Sequence, residues 1–183
     1  MGHRLSKIYT RTGDAGTTGL GDGSRSVKNS LRITALGDID EANSAVGLLL
    51  CEELPTDVAA LLTGVQHDLF DLGGEISIPG AALLAEGAPQ RLEAAIDRYN
   101  AALSPLEEFI LPGGCPPAAL AHLARTVCRR AERAVVALGQ AEAVSAAGPQ
   151  YLNRLSDLLF VLARHLNAAS GRGDVLWQKG KNA

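Results

Sequence analysis

From Ile33 onward, apolar residues recur at helical spacing in five successive runs, with Pro or Gly breaking the chain between them. Ile39, Ala42, Val46, Leu49 and Leu50 mark the first run, about Ile33 to Glu53, which Pro55 ends. Val58, Leu61, Leu62, Val65, Leu69 and Leu72 mark the second, from about Asp57 to Leu72, closed by Gly73-Gly74. A shorter third covers about Pro89 to Leu103, with Leu92, Ala95, Ile96 and Tyr99 inward. Two prolines, Pro116 and Pro117, open a fourth over Ala118 to Leu138, with Gly139 as its end cap. The fifth runs from Pro149 to about Ala169 and stops at Ser170-Gly171. Aromatic residues are only 4% of the chain, so the core must be Ala, Leu, Val and Ile, which suits close-packed helices. The spacing predicts an all-α fold in one domain over 1–183. An irregular Gly/Thr-rich N-terminal arm (1–30) precedes a five-helix bundle (31–170), and a C-terminal segment (171–183) follows it.

A net charge of −3 argues against broad electrostatic binding to nucleic acid or acidic membranes. No apolar run approaches the ~20 residues that span a bilayer, and the N-terminus has no apolar stretch resembling a secretory signal. Cytoplasmic localisation is the expectation. Cys51, Cys115 and Cys128 are odd in number and lack CxxC spacing, so they read as small buried hydrophobes in a reducing compartment. His3, His67, His122 and His165 form no HxxxH or HExxH pair, and no metal site built from side chains is expected.

The fourth run carries the most informative chemistry, Arg125-Thr-Val-Cys-Arg129-Arg130-Ala-Glu132-Arg133. At 100° per residue from Arg125, Arg129 falls near ~40° and Glu132 near ~340°. Leu120, Leu123, Val127, Ala131, Ala134 and Leu138 gather between about 160° and 240°. Arg133 lies beside the charged stripe and Arg130 at its far border. Such a run is commonly a solvated helix face. Four Arg and no Lys favour phosphate, whose oxygens match a fixed fork of donors.

On the fifth run, Tyr151, Leu155, Leu158, Leu162 and Leu166 form an apolar stripe, while Asn153, Asp157 and Arg164 line another face. Asn153 offers both a donor and an acceptor to a nucleotide. Asp38, Asp40 and Glu41 in the first run suit a helix start, and Asp40 equally suits an arginine of the fourth. The arm is either a flexible segment or a phosphate cradle. Its glycines admit backbone N–H groups to an anion, Thr10, Thr12, Thr17 and Thr18 add hydroxyls, and Arg11 and Lys28 bracket it. It is no Walker A loop, because Gly16-Thr-Thr-Gly-Leu-Gly21 is followed by Asp22. No nucleophile stands in motif with a base, so an enzyme of this sequence would act by positioning reactive partners.

Five segments occur in order: Ile8-Tyr-Thr-Arg-Thr-Gly-Asp-Ala-Gly-Thr-Thr-Gly-Leu20, Gly37-Asp-Ile-Asp-Glu-Ala-Asn-Ser44, Phe109-Ile-Leu-Pro-Gly-Gly114, Arg125 to Arg133, and Tyr151-Leu-Asn-Arg-Leu-Ser-Asp157. Together they are similar to the PduO-type ATP:cob(I)alamin adenosyltransferases. The resemblance implies a homotrimer with active sites between subunits, and transfer of the 5′-deoxyadenosyl group of ATP to cobalt with release of triphosphate. ATP is then a cosubstrate carrying Mg²⁺ on its phosphates, and cobalamin or another corrinoid is the acceptor. A reductase and a B12-dependent enzyme become candidate partners. By the same resemblance Thr10, Arg11, Thr12, Gly13, Thr17, Thr18 and Lys28 would hold the phosphates. Arg129, Arg130, Glu132, Arg133 and Asn153 would complete the nucleotide site. Arg125 would pair with Asp40, Phe109 would occupy the lower face of the corrin, and Val175 and Trp177 would close over it.

Overall fold

The computed structural model describes residues 8–182, so His3 and the first seven residues of the arm lie outside the described residues. Short strands β1 (Thr17–Gly19) and β2 (Arg25–Val27) precede helices α1 (Leu31–Leu49), α2 (Thr56–Ser77), α3 (Ala88–Asn100), α4 (Pro116–Ala141) and α5 (Ala147–Ala169). The five-helix bundle expected from the periodicity is present. Its arm departs from the irregular segment expected.

Asp22 explains the hairpin in the arm. Its carboxylate accepts from the Ser24 N–H at 2.8 Å and from the Ser24 hydroxyl at 2.7 Å, and Gly23 turns at φ +90°. The antiparallel register places Thr17 opposite Val27 and Gly19 opposite Arg25. Three-residue strands are too short to show alternation, which is why the sequence pattern missed them. The hairpin docks on the end of α2, where Gly21 N–H donates to Ser77 O at 2.9 Å. A Cβ at Gly21 would come within 2.6 Å of Ile78 Cγ1, so only glycine fits this seam.

Ser30 caps α1, which starts at Leu31 rather than at Ile33 as expected, its hydroxyl accepting from Ile33 N–H at 3.3 Å. The helix ends at Leu49 rather than Glu53, and Cys51 is exposed, not buried as expected; Cys115 and Cys128 are buried. Helix α2 runs through Gly73-Gly74 to Ser77 instead of stopping there. Two helical glycines cost about 2 kcal/mol together. Burying Leu72 and Ile76, at about 1.5–3 kcal/mol each, exceeds that. Gly139 likewise does not cap α4, which continues to Ala141. Beyond it Glu142 pairs with the buried Arg32 of α1, which also donates to Ile76 O.

Helix α4 packs between α1 and α5, antiparallel to both. Its buried face is Ala121, Ala124, Val127, Cys128, Ala131, Val135 and Leu138, centred about 60° from the predicted stripe. Leu123, expected inside, is 49% exposed. A helix clamped on two sides buries its small residues, because alanines let both neighbours approach, and leaves bulkier ones at the rim. Ala35 and Ala42 of α1 and Ala163 of α5 meet it from either side, all at most 1% exposed.

Candidate functional site

The arm folds into a loop lined by cations. Arg11 sits at φ +59°, a left-handed backbone that a non-glycine residue adopts at a cost. Thr10 and Thr12 share a hydroxyl–hydroxyl bond of 2.9 Å. Gly16 N–H closes a turn on Gly13 O at 3.1 Å, and Lys28 N–H donates to Gly16 O at 2.9 Å. A Cβ at Gly13 would lie 3.1 Å from Lys28 Nζ, so glycine there lets the ammonium rest against the loop backbone. Arg25, which sequence reasoning missed, donates through Nη2 to Thr12 O and to Thr17 Oγ1, both at 2.7 Å. Only the hairpin register reveals it. Thr18 is half-buried beside Thr17. Guanidinium, ammonium and hydroxyl groups converging on a glycine turn make a cradle for an anion.

Helix α4 presents a second cationic surface. Arg129 and Arg133 are exposed, and Arg133 Nη1 donates to Arg129 O at 3.0 Å. Arg130 is engaged differently: it pairs with Asp38 at 3.5 Å and with Glu41, so it ties α4 to α1. The Glu41 hydrogen bond first, then the charges of Glu41 and Asp38, raise its guanidinium above the ordinary arginine value. Glu132 Oε1 accepts from Asn153 Nδ2 at 3.1 Å, and Asn153 Oδ1 accepts from Arg154 at 2.7 Å. Arg154 continues to Glu93 of α3 at 2.8 Å. Asn153 is thus oriented from both ends. Arg164, expected on the same polar face, is buried beyond it and bonds to Asp174 and Ser104 O.

At the opposite end, Gly113 (φ +155°) and Gly114 (φ +112°) turn the chain into α4, and the preceding strip faces solvent. Residues 109–111 pair with the C-terminal segment: Trp177 N–H donates to Phe109 O at 2.7 Å and Leu111 N–H to Val175 O at 2.8 Å. Phe109 is 78% exposed, and Leu111, Leu123, Val175 and Trp177 are exposed as well. Phe109, Ile110, Pro112, His122, Arg125 and Phe160 line a cavity of about 570 Å³ beside them. So much exposed apolar surface in one place marks a binding surface. Arg125 is half-buried there with Nε lacking a partner. Burial first, then the Arg129 cation, pull its guanidinium below the ordinary value.

Two of the expected groupings do not form within one chain. The arm docks at the Ser77 end of α2, while Phe109 lies at the start of α4. The 26 residues of α4 span roughly 39 Å between those ends. Among the described residues no hydrogen bond or ion pair joins the arm to Arg125, Arg129 or Arg133. Asp40 sits on α1 in a groove of about 330 Å³ against α2, beside Phe70, Gly73 and Gly74, and makes no ion pair with Arg125.

The model of the cobalamin adenosyltransferase family matches residues 8–166. A cobalamin adenosyltransferase from Cupriavidus metallidurans is 67% identical, over the full length of both chains. A corrinoid adenosyltransferase from Bacillus subtilis is 47% identical, covering 94% of this chain and 93% of its own. Among solved structures, a variant of the PduO-type ATP:corrinoid adenosyltransferase from Lactobacillus reuteri, complexed with cobalamin and ATP, superposes with a TM-score of 0.90. It is 34% identical, over 94% of this chain and 100% of that one.

Proposed function

The chain belongs to the cobalamin adenosyltransferase family, and from that premise we propose how its residues divide the work. The reaction is ATP-dependent adenosylation of a corrinoid: the 5′-deoxyadenosyl group of ATP passes to cobalt and triphosphate leaves. One observation supports the division of labour above the others. The arginine stripe of α4 ends at the Phe109 cavity, so an anion grip and an apolar floor lie on one helix.

Cobalt(I) carries its own lone pair, which attacks the ribose 5′ carbon; a Co–C bond forms as the C–O bond to triphosphate breaks. No protein base is required, in keeping with the missing nucleophile–base motif. What the protein supplies is a grip on the departing charge. Arg129, Arg133, Lys28 and the Thr10–Thr18 loop take that role, with Asn153 held by Glu132 and Arg154 to orient the nucleotide. Among the described residues no three His, Cys, Asp or Glu side chains gather to hold a metal. Mg²⁺ carried by ATP would be held here through the phosphates gripped by Lys28 and the Thr10–Thr18 loop, and would supply charge neutralisation of the leaving triphosphate. Holding the two reacting centres in line contributes several kcal/mol more.

Phe109, exposed over the cavity, packs on the lower corrin face and keeps the nucleotide ligand off cobalt, which eases reduction. Val175 and Trp177 cover the corrinoid from the segment paired to it. The arm and α4 meet across subunits of a homotrimer, with Arg125 reaching Asp40 of a neighbour. The exposed Phe70 and the Gly73-Gly74 groove beside Asp40 give that neighbour a surface to pack on. Free thiols and the absence, among the described residues, of any helix long and apolar enough to cross a membrane fit a cytoplasmic enzyme served by a reductase and a B12-dependent enzyme. Anaerobic incubation with Mg-ATP and chemically reduced cobalamin tests the function: the spectrum should convert to that of an alkylated corrinoid with triphosphate in equal amount. Binding of both ligands without triphosphate release would instead make the protein a carrier.

A further inference from the structure

Three buried polar groups near the Phe109 cavity lack partners: Arg125 Nε, both ring nitrogens of His122, and Asp174 Oδ1. An orphaned buried polar group of this kind costs about 1–3 kcal/mol, so three together call for a reason. Their chemistry is complementary. Arg125 Nε–H is a donor, a carboxylate oxygen is an acceptor, and a neutral imidazole is one of each. Their placement is complementary too. His122 and Arg125 stand three residues apart on α4, where side chains are neighbours, and both line the cavity. Asp174 immediately precedes the Val175–Trp177 segment that bonds to Phe109 and Leu111, and Arg164 holds its other oxygen at 2.7 Å, leaving Oδ1 free. The His122 ring is fixed edge-on against Phe160, centroids 6.0 Å apart, and the side chain is only 4% exposed.

We propose that His122 is a positioning residue, accepting a hydrogen bond from Arg125 Nε and donating one to Asp174 Oδ1, so that the C-terminal segment is fastened to Arg125 when a corrinoid fills the cavity. The link rests on the reading of that cavity as the corrinoid site. Burial, then the Arg125 cation, hold the imidazole below its ordinary value, with Asp174 opposing; it is neutral at pH 7 and has one nitrogen of each kind. Glu107 and Glu108 also line the cavity, but Asp174 is the carboxylate whose field reaches His122. The cost of the orphaned groups falls away once the chain of bonds closes, so corrinoid binding and segment fastening reinforce each other.

His122→Leu removes both bonds and His122→Gln keeps an acceptor and a donor. With Mg-ATP and reduced cobalamin, His122→Leu should raise the corrinoid KM about 10-fold with the ATP KM unchanged, and His122→Gln should recover most of it. Asp174→Asn should raise the same KM, and the double variant with His122→Leu should be no worse than the poorer single one. Trp177 is the sole tryptophan, so one indole N–H resonance reports the segment; hydroxocobalamin should shift it in wild type and much less in His122→Leu. Equal KM values in wild type and His122→Leu, or strictly additive losses, overturn the link while leaving the function standing. Should His122→Leu not fold, ¹⁵N imidazole shifts of the wild type decide: hydroxocobalamin must leave one ring nitrogen donating and one accepting, and unchanged shifts refute the proposal. No binding of cobalamin by wild type is a separate failure, that of the site itself.

Discussion

Asn153 of α5 donates its amide to Glu132 of α4 at 3.1 Å while its carbonyl accepts from Arg154 at 2.7 Å. The amide cannot flip without reversing both bonds, so its position is set by chain geometry and not by a ligand. A pre-set amide loses little on binding. Asn153→Ala should therefore raise the KM for ATP about 10-fold and leave the corrinoid KM nearly unchanged, measured by steady-state kinetics at saturating partner substrate. Equal rises in both would place Asn153 outside the nucleotide site.

Arg129→Ala separates function from stability. The side chain is exposed and ties no helices together, unlike Arg130 with its two carboxylates on α1. Thermal unfolding should stay within about 1–2 °C of wild type, as for surface substitutions generally. Turnover should fall on the order of 10–100-fold, the loss of one charge-assisted bond to the triphosphate. Unchanged turnover refutes its phosphate role.

Phe109→Ala tests the other end of α4. At 78% exposure the ring contributes little to the folded chain, so melting should not change. The rate with cobalamin should drop far more than ATP affinity if, as proposed, the ring keeps a ligand off cobalt. Comparing cobalamin with cobinamide, which has no nucleotide tail, checks this: the defect should shrink with cobinamide.

The helices were legible because their cores repeat at i, i+3 and i+4, and a bundle rewards that period wherever it occurs. Their ends were not. Gly73, Gly74 and Gly139 read as breaks locally, yet burial of Leu72, Ile76 and Leu138 outweighs their propensity cost. The motif segments contain Arg125, Phe109, Asn153 and Arg154, and Arg164 stands on the polar face of the fifth run, but none of this shows what Arg25, Arg154, Arg164 or Asp174 bond to. Those four act through partners 8, 61, 10 and 60 residues apart: Thr17 with Arg25, Glu93 with Arg154, Asp174 with Arg164, and Ser104 with Arg164. Such pairs are fixed by tertiary packing, for which local periodicity carries no signal. The proposed Asp40–Arg125 pairing does not form within one chain, where the two residues lie on different faces.

Gly114 and Gly113 give a graded test of the turn that carries Phe109. At Gly114, φ is +112° and an added Cβ would fall into the Asn167 carboxamide, which accepts from Cys115 N–H at 2.9 Å and donates to Gly113 O at 3.1 Å. Gly113 is also at positive φ, +155°, but a Cβ there meets nothing. Gly114→Ala should cost upward of about 2 kcal/mol, lowering Tm by roughly 4–8 °C, and Gly113→Ala clearly less. Equal losses would mean backbone strain alone decides.

Alkaline stability should depend on Tyr99. Burial first, then its 2.9 Å bond to Asp57, push the phenol up to about 12 from an ordinary 10. A raised folded value means the protonated phenol belongs to the native state. Its contribution is complete below pH 10 and is lost as pH rises from about 10 through 12. Tyr151, raised chiefly by burial and then by Asp68, and Cys128, raised chiefly by burial, act in the same direction. Tyr99→Phe removes one of the three ionisations, at about 1 kcal/mol for the lost hydrogen bond at neutral pH. Urea midpoints measured from pH 8 to 11.5 should fall less steeply for Tyr99→Phe than for wild type, and parallel curves would show that Tyr99 ionises no later in the folded chain than in the unfolded one.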